Sequence, residues 1–273
     1  MINVVDRVPT YPNRVKITHS NGSSEYVTWE RADEPTVPGT PINKALFDSI
    51  VEDIGLNKAT TVYVSTAGSD TLGDGTAANP YATIQKAINS LPKNLNGFDA
   101  TINVAAGTYN EDVLISRFSG GNIVFRGVTN ASVSVRSLRI TYGAKVMVFD
   151  IKLIVTGDYD GNAISAINAE FYCFVQASIV GAPQIGVLVD TFARCIFVVL
   201  DVSNSSQAAV SAINRSSFFA LALQGTGNTS VGIRSVAGSV ISYGTSTLSA
   251  STGMATASGG RIYSGAQASI PNY

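Results

Sequence analysis

The sequence predicts an all-β solenoid: a right-handed parallel β-helix with about 23 residues per coil, an N-terminal capping helix, and a small β-hairpin/helix module in front. Three observations predict it. Segments opening at Ala163, Gly186, Ala209 and Gly232 align at that spacing, with a fifth at Gly253. The column one position after each opening is apolar (Ile164, Val187, Val210, Ile233, Met254), and so is the column nine positions after (Tyr172, Cys195, Phe218, Ile241, Ile262). Between these columns stand Gly, Ser, Asn and Thr, so each apolar stretch is too short and too β-branched for a helix. Helical repeats are excluded on that ground, and leucine-rich repeats by the absence of regularly spaced leucines. A unit this short cannot bury its apolar face alone; stacking on the next coil, about 4.8 Å away, supplies both the core and the ladder hydrogen bonds.

Residues 1–58 stand outside the repeat and form the N-terminal module. Asn13–Thr18 and Ser24–Trp29 alternate around His19-Ser-Asn21-Gly22-Ser, a hairpin pattern with Asn-Gly at the turn. Thr40-Pro41 then opens a helix to about Leu56, capped by Thr40, with Leu46, Ile50 and Ile54 on one stripe. A hairpin beside one helix has too little core to stand alone, so the module is expected to dock on copies of itself or on a larger assembly.

Residues 59–100 supply a strand around Thr61–Ser65, a turn-rich run from Gly68 to Gly75, and a helix. Asn79 is its expected N-cap and Pro80 its first turn, with Ile84, Ala87, Ile88 and Leu91 on one face and Pro92 closing it. That face suits the open end of an apolar bore, where an uncovered sheet would pair with another chain. Residues 101–273 hold roughly seven coils, a rod on the order of 35 Å long. The coil holding Leu138–Asp150 runs about three residues longer than its successors.

The composition bounds the chemistry. Net charge is −1, which offers no basic field for nucleic acid, and no apolar run reaches membrane length. The longest run, Cys195–Leu200, lies between Arg194 and Asp201 and is expected to be a buried strand. The N-terminus lacks the basic-then-apolar layout of a signal peptide. Cys173 and Cys195 are expected as reduced core thiols. Residues 1–58 hold 14 charged side chains, whereas residues 202–273 hold three, Arg215, Arg234 and Arg261. A rod surface with so little charge is poorly protected against association, which points to identical rods packed as a homotrimer.

Two stretches carry a resemblance. Tyr11-Pro-Asn-Arg-Val-Lys-Ile-Thr18, with Arg31-Ala-Asp-Glu-Pro35 and Gly39-Thr-Pro-Ile-Asn43, resembles the N-terminal segment of tail-fibre and baseplate-associated proteins from phages and prophages of Gram-positive bacteria. Gly68-Ser-Asp70, Asp74-Gly75 and Asn79-Pro80-Tyr81-Ala-Thr-Ile-Gln-Lys-Ala-Ile88 are similar to the opening of pectin-lyase-like β-helix proteins, many of them phage tailspikes. The resemblance covers the first third of the chain and implies a homotrimer fixed to tail or baseplate proteins through residues 1–58, its rod facing host-surface polysaccharide. It also implies a virion tail protein assembled in the host cytoplasm and acting outside the cell.

Tailspikes of this kind often cut polysaccharide with two or three carboxylates in a groove, about 5–9.5 Å apart. Past Asp201 the chain has no Asp or Glu, so the last coils cannot supply a pair. Asp150, Asp158, Asp160, Glu170, Asp190 and Asp201 remain. No catalytic residue is assigned; if the chain is an enzyme, Glu170 with Asp190 (about 10 Å apart by coil geometry) or with Asp158 is the candidate set. Asp158-Tyr-Asp160-Gly161-Asn162 opens like a calcium loop, but the closing Glu is missing, Glu170 falling one residue late. No metal and no cofactor is expected. The single histidine, His19, stands in the hairpin turn, away from any triad. Phe171, Tyr172, Phe174, Phe197, Phe218, Phe219 and Tyr243 recur with the repeat; most are expected as core stacks and a minority as outward faces for sugars. The expected function is recognition of host-surface glycan by a tail fibre or tailspike, with a polysaccharide depolymerase and an architectural trimeric spacer as the alternatives.

Overall fold

The computed structural model describes residues 14–18, 24–28, 55–127, 131–157, 160–181 and 183–264. The chain divides into two compact units, Met1–Ile54 and Gly55–Tyr273. In the first, β1 (Arg14–Thr18) and β2 (Ser24–Thr28) pair antiparallel, Arg14 opposite Thr28 and Thr18 opposite Ser24. The Asn-Gly turn and the helix expected from Thr40, with Leu46, Ile50 and Ile54, lie outside the described residues.

The second unit is the parallel solenoid, about seven turns of about 23 residues. Each full turn has three faces. The first is built from β3 (Thr60–Val64), β4 (Ala100–Val104), β6 (Ile123–Arg126) and β8 (Lys145–Val148). It continues in the opening halves of β11 (Glu170–Ile179), β13 (Arg194–Val202), β15 (Ser217–Val236) and β16 (Val240–Ala257), and ends at β17 (Arg261–Ser264). The second face starts with the first halves of β5 (Gly107–Ser116) and β7 (Ala131–Thr141), then β9 (Ile151–Val155) and the middles of the long strands. The third takes the second halves of β5 and β7, then β10 (Asn162–Ile167), β12 (Ile185–Asp190) and β14 (Ala208–Ala212).

Alternation along each strand sends one set of side chains into the bore. On the third face Leu138, Ile164, Val187, Val210 and Ile233 pair successively, all but solvent-free, down to Met254, which is 56% exposed in the last full turn. On the first face two inward columns run side by side, Phe171–Cys195–Phe218–Ile241 and Cys173–Phe197–Ala220–Tyr243. Each of three consecutive coils thus carries one Phe and one small residue, and the Phe switches column at every step. Phe197 meets Phe171 edge-on at 5.4 Å and Phe218 at 5.7 Å between ring centroids. Cys173 and Cys195 fill the spaces left beside the rings; they are buried free thiols, and burial pushes the Cys173 thiol up to about 12.

This register corrects the second sequence column. Cys195 pairs with Phe171, not Tyr172. Tyr172 instead faces the opposite side of the sheet with Ile196, Phe219 and Met147, in a separate small cluster. The cause is two compensating irregularities: Thr191-Phe192 forms a corner one residue longer than the one at Asn168, and β11 takes up the extra residue in a bulge between Cys173 and Gln176. The longer coil is present as expected, with Leu138 pairing Ile164 at a register of 26 residues that falls to 23 from Ile164 to Val187.

The lid is α1 (Ile84–Asn89), about one turn later than the sequence suggests: its N-cap is Thr83 rather than Asn79. Tyr81 is held instead in a bridge to Val64, and the Pro80 carbonyl accepts the Ser69 N–H, so the Asn79–Ala82 stretch is not helical. Ile84, Ala87 and Ile88 close the bore as expected, with Leu91 and Leu95 buried just beyond the helix. The first rung of the third face would otherwise expose an unpaired edge. Gln85 covers it, its side chain accepting the Leu114 N–H at 2.8 Å and donating to the Leu114 carbonyl at 3.1 Å.

Candidate functional site

Each described carboxylate named from the sequence has its own hydrogen-bond or ion-pair partners. Glu170 accepts the Tyr172 hydroxyl at 2.6 Å and faces Lys145 at 3.6 Å on the first face. Asp190 ends β12 at the corner between the third and first faces, where it accepts from Asn214 Nδ2 at 2.7 Å and Thr191 Oγ1 at 3.0 Å. The two have separate partners and different tasks, one an ion pair and the other a corner staple. Asp150 pairs with Arg126, Asp160 with Arg139, and Asp201 accepts from Ser203 and Gln224. Asp158 lies outside the described residues. Among the described residues no group of three His, Cys, Asp or Glu side chains is arranged to hold a metal ion.

Two carboxylates with opposite pKa shifts, outside the set named from the sequence, meet at the lid. Asp70 and Glu111 both face the start of α1. Asp70 accepts from the N–H groups of Ala82 (2.8 Å) and Thr83 (3.1 Å) and from the Thr83 hydroxyl (2.7 Å). Glu111 accepts from the N–H groups of Ile84 (2.7 Å) and Gln85 (2.9 Å). Burial opposes ionisation of Asp70, but the hydrogen bonds from Thr83 and Ala82, helped by Lys86, outweigh it and lower its pKa below 3.8. At Glu111 burial wins over its two backbone donors, and the nearby Asp70 charge adds to the rise above 4.5. Opposed carboxylates of this kind can mark an acid/base pair. Here all four oxygens are taken by donors at the helix start, so the arrangement is a cap that pins the lid to β5.

That cap sets a pH dependence. A lowered Asp70 contributes stability that is present above pH 3.8 and lost as pH falls through its folded value. Glu111 acts oppositely: its contribution is present below pH 4.5 and lost as pH rises through its raised value. Urea midpoints measured from pH 3 to pH 6 should therefore fall less steeply below pH 4 in Asp70→Asn than in the unmodified chain. Parallel curves would show that Asp70 titrates alike folded and unfolded.

A groove of about 340 Å³ lies on the third face, over β5 and β7. Its floor follows from the register: Asp112 pairs Ser137, Leu114 pairs Arg139 and Ser116 pairs Thr141, all pointing away from the bore. Tyr142 forms its end wall at the corner. The groove's carboxylate is already fixed. Asp112 is held by Arg136 Nε at 2.8 Å, by a second bond from the same guanidinium, and by Ser137 Oγ at 2.7 Å. Leu114 and Tyr142 are 46% and 61% exposed. A held carboxylate and hydroxyls beside exposed apolar and aromatic surface suit reversible binding of a polyhydroxylated ligand. With its single carboxylate bonded to Arg136 and Ser137, the groove lacks the pair that hydrolysis requires.

The recurring aromatics are not the exposed ones. Phe171, Phe197, Phe218 and Tyr243 are in the core, and Tyr172 and Phe219 in the outer cluster. Only Phe174 of that set stays partly open, stacked on Phe149 at 4.7 Å. The most exposed rings among the described residues are Tyr142 and Phe192 at the corner, where no column of the repeat would reveal them. No protein-family model, no curated protein and no solved structure matches this chain.

Proposed function

We propose that the chain is a receptor-binding protein of a phage or prophage-derived particle, a tail fibre or tailspike that recognises host-surface glycan through the side of its β-helix. The observation that carries this reading is the groove over β5 and β7, with exposed Tyr142 and Leu114 beside the Asp112 carboxylate held by Arg136 and Ser137. The resemblance of residues 11–43 and 68–88 to tail proteins supports the attachment role of residues 1–58. Three rods in a homotrimer would multiply a weak single-site affinity.

An immobilised array of bacterial surface polysaccharides tests the reading. The protein should retain at least one glycan, and Tyr142→Ala should weaken that binding about tenfold, equivalent to about 1.4 kcal/mol. The fold should be unaffected, because Tyr142 is mostly exposed. Release of new reducing ends or unsaturated products from the retained glycan would establish the depolymerase alternative. Failure to retain any glycan would leave the architectural spacer. Light scattering in dilute buffer should return three chain masses; a single-chain mass would remove the trimer.

A further inference from the structure

The corner between the third and first faces turns on left-handed residues, one at Arg117 and at Asn168 and two in succession at the five other corners described here. Tyr142-Gly143 (φ 55° and 80°), Ala237-Gly238 (53° and 74°) and Ser258-Gly259 (51° and 80°) share one pattern, a side chain followed by glycine. Glycine in the second position is expected, because a Cβ there meets the following carbonyl. Two of the two-residue corners break the pattern. Thr191-Phe192 (52° and 59°) and Asn214-Arg215 (56° and 61°) place a bulky side chain where the three other two-residue corners have glycine. Phe192 is 65% exposed, so core packing does not repay its strain. Strain that persists without a packing reason points to a functional one.

These positions line up. Backbone hydrogen bonds run from Tyr142 to Ile167, from Asn168 to Asp190, from Phe192 to Asn214 and from Arg215 to Ala237, each one coil along. Tyr142 and Phe192 therefore stand two coil steps apart, about 10 Å along the rod. Exposed Asn168 lies between them and Arg215 one step beyond. The neighbouring carboxylates are already matched, Asp190 by Asn214 and Glu170 by Lys145. Among the described residues no carboxylate forms an ion pair with Arg215.

We propose that this corner edge binds a linear polysaccharide of pyranose sugars, its axis parallel to the rod, with sugar faces on Tyr142 and Phe192 and hydroxyls held by Asn168 and Arg215. The proposal rests on the glycan-recognition reading and locates its ligand: the groove holds one end and the edge carries the chain toward β14. A single pyranose ring is too short to touch both aromatics, so affinity must depend on chain length. Single-stranded nucleic acid also stacks on aromatics beside arginine. The net charge of −1 and the spacing of single cations along the edge favour the glycan.

The test uses the full chain, Phe192→Gly and Arg215→Gly, with length-sorted fragments of whichever array polysaccharide the protein retains. Phe192→Gly should raise Tm, since glycine relieves the left-handed position, yet weaken long fragments at least tenfold while leaving the shortest unchanged. Arg215→Gly should weaken only the longest. If long fragments bind Phe192→Gly as they bind the parent, the edge is not the site, although glycan recognition stands. A lowered Tm in Phe192→Gly would also overturn the proposal, by giving Phe192 a packing role. Retention of no polysaccharide removes both readings, and equal binding of a single-stranded oligonucleotide replaces the glycan as the ligand.

Discussion

Phe197→Ala is expected to destabilise the rod by about 3–5 kcal/mol, the cost of deleting a buried aromatic ring from a core that cannot collapse around the gap. Phe197 is fully buried and touches a ring above and a ring below, Phe171 and Phe218. Its column neighbours, Cys173 and Ala220, are the small members of the alternation and cannot reach across the space. The backbone cannot close it either, because hydrogen bonds to β11 on one side and β15 on the other fix the coil spacing. In a solenoid the damage should be felt mainly by adjacent coils, since each unit is stabilised by its nearest neighbours. Hydrogen exchange should show lost protection in β11, β13 and β15, with β3 and β4 nearly unchanged. Uniform loss along the rod would mean that the coils unfold as one unit.

Gly225→Ala should be comparably severe, on the order of 3 kcal/mol or more, and should lower Tm by about 10 °C. Gly225 has φ 147°, and a Cβ there would run into the Val202 carbonyl of the preceding coil. The obstacle is backbone, held in a strand, and cannot rotate aside as a side chain would. Gly225 also stands where the β15–β16 register slips, so the local path is already committed to a bend. Gly253→Ala is the contrast within the same protein: nothing stands within 4 Å of its added Cβ, and little change in Tm is expected. Equal Tm values for the two variants would show that the coils can separate enough to admit a methyl group.

The candidate site was less legible than the fold, and for a physical reason. Inward positions repeat because each must fit the residue one coil away, so Ile164, Val187, Val210 and Ile233 announce themselves as a column. Outward positions obey no such constraint. Tyr142 and Phe192 look like ordinary turn residues until their left-handed backbone and exposure are known. Asp70 and Glu111 are far apart in the chain and meet only because the lid folds onto β5. Conversely, Glu170 and Asp190 were the natural pair on coil arithmetic, but the first faces Lys145 and the second staples a corner.

Sequence alone determined the coil length, the parallel stacking and the apolar bore, because stacking identical short units leaves an imprint at a fixed period. Tertiary structure alone decided the side-chain register. One extra residue at Thr191-Phe192 is absorbed by a bulge in β11, so the period is preserved on either side while Phe171, rather than Tyr172, takes the core position. A one-residue shift reverses which face a strand residue occupies, and only the hydrogen-bonded ladder records where that shift begins and ends.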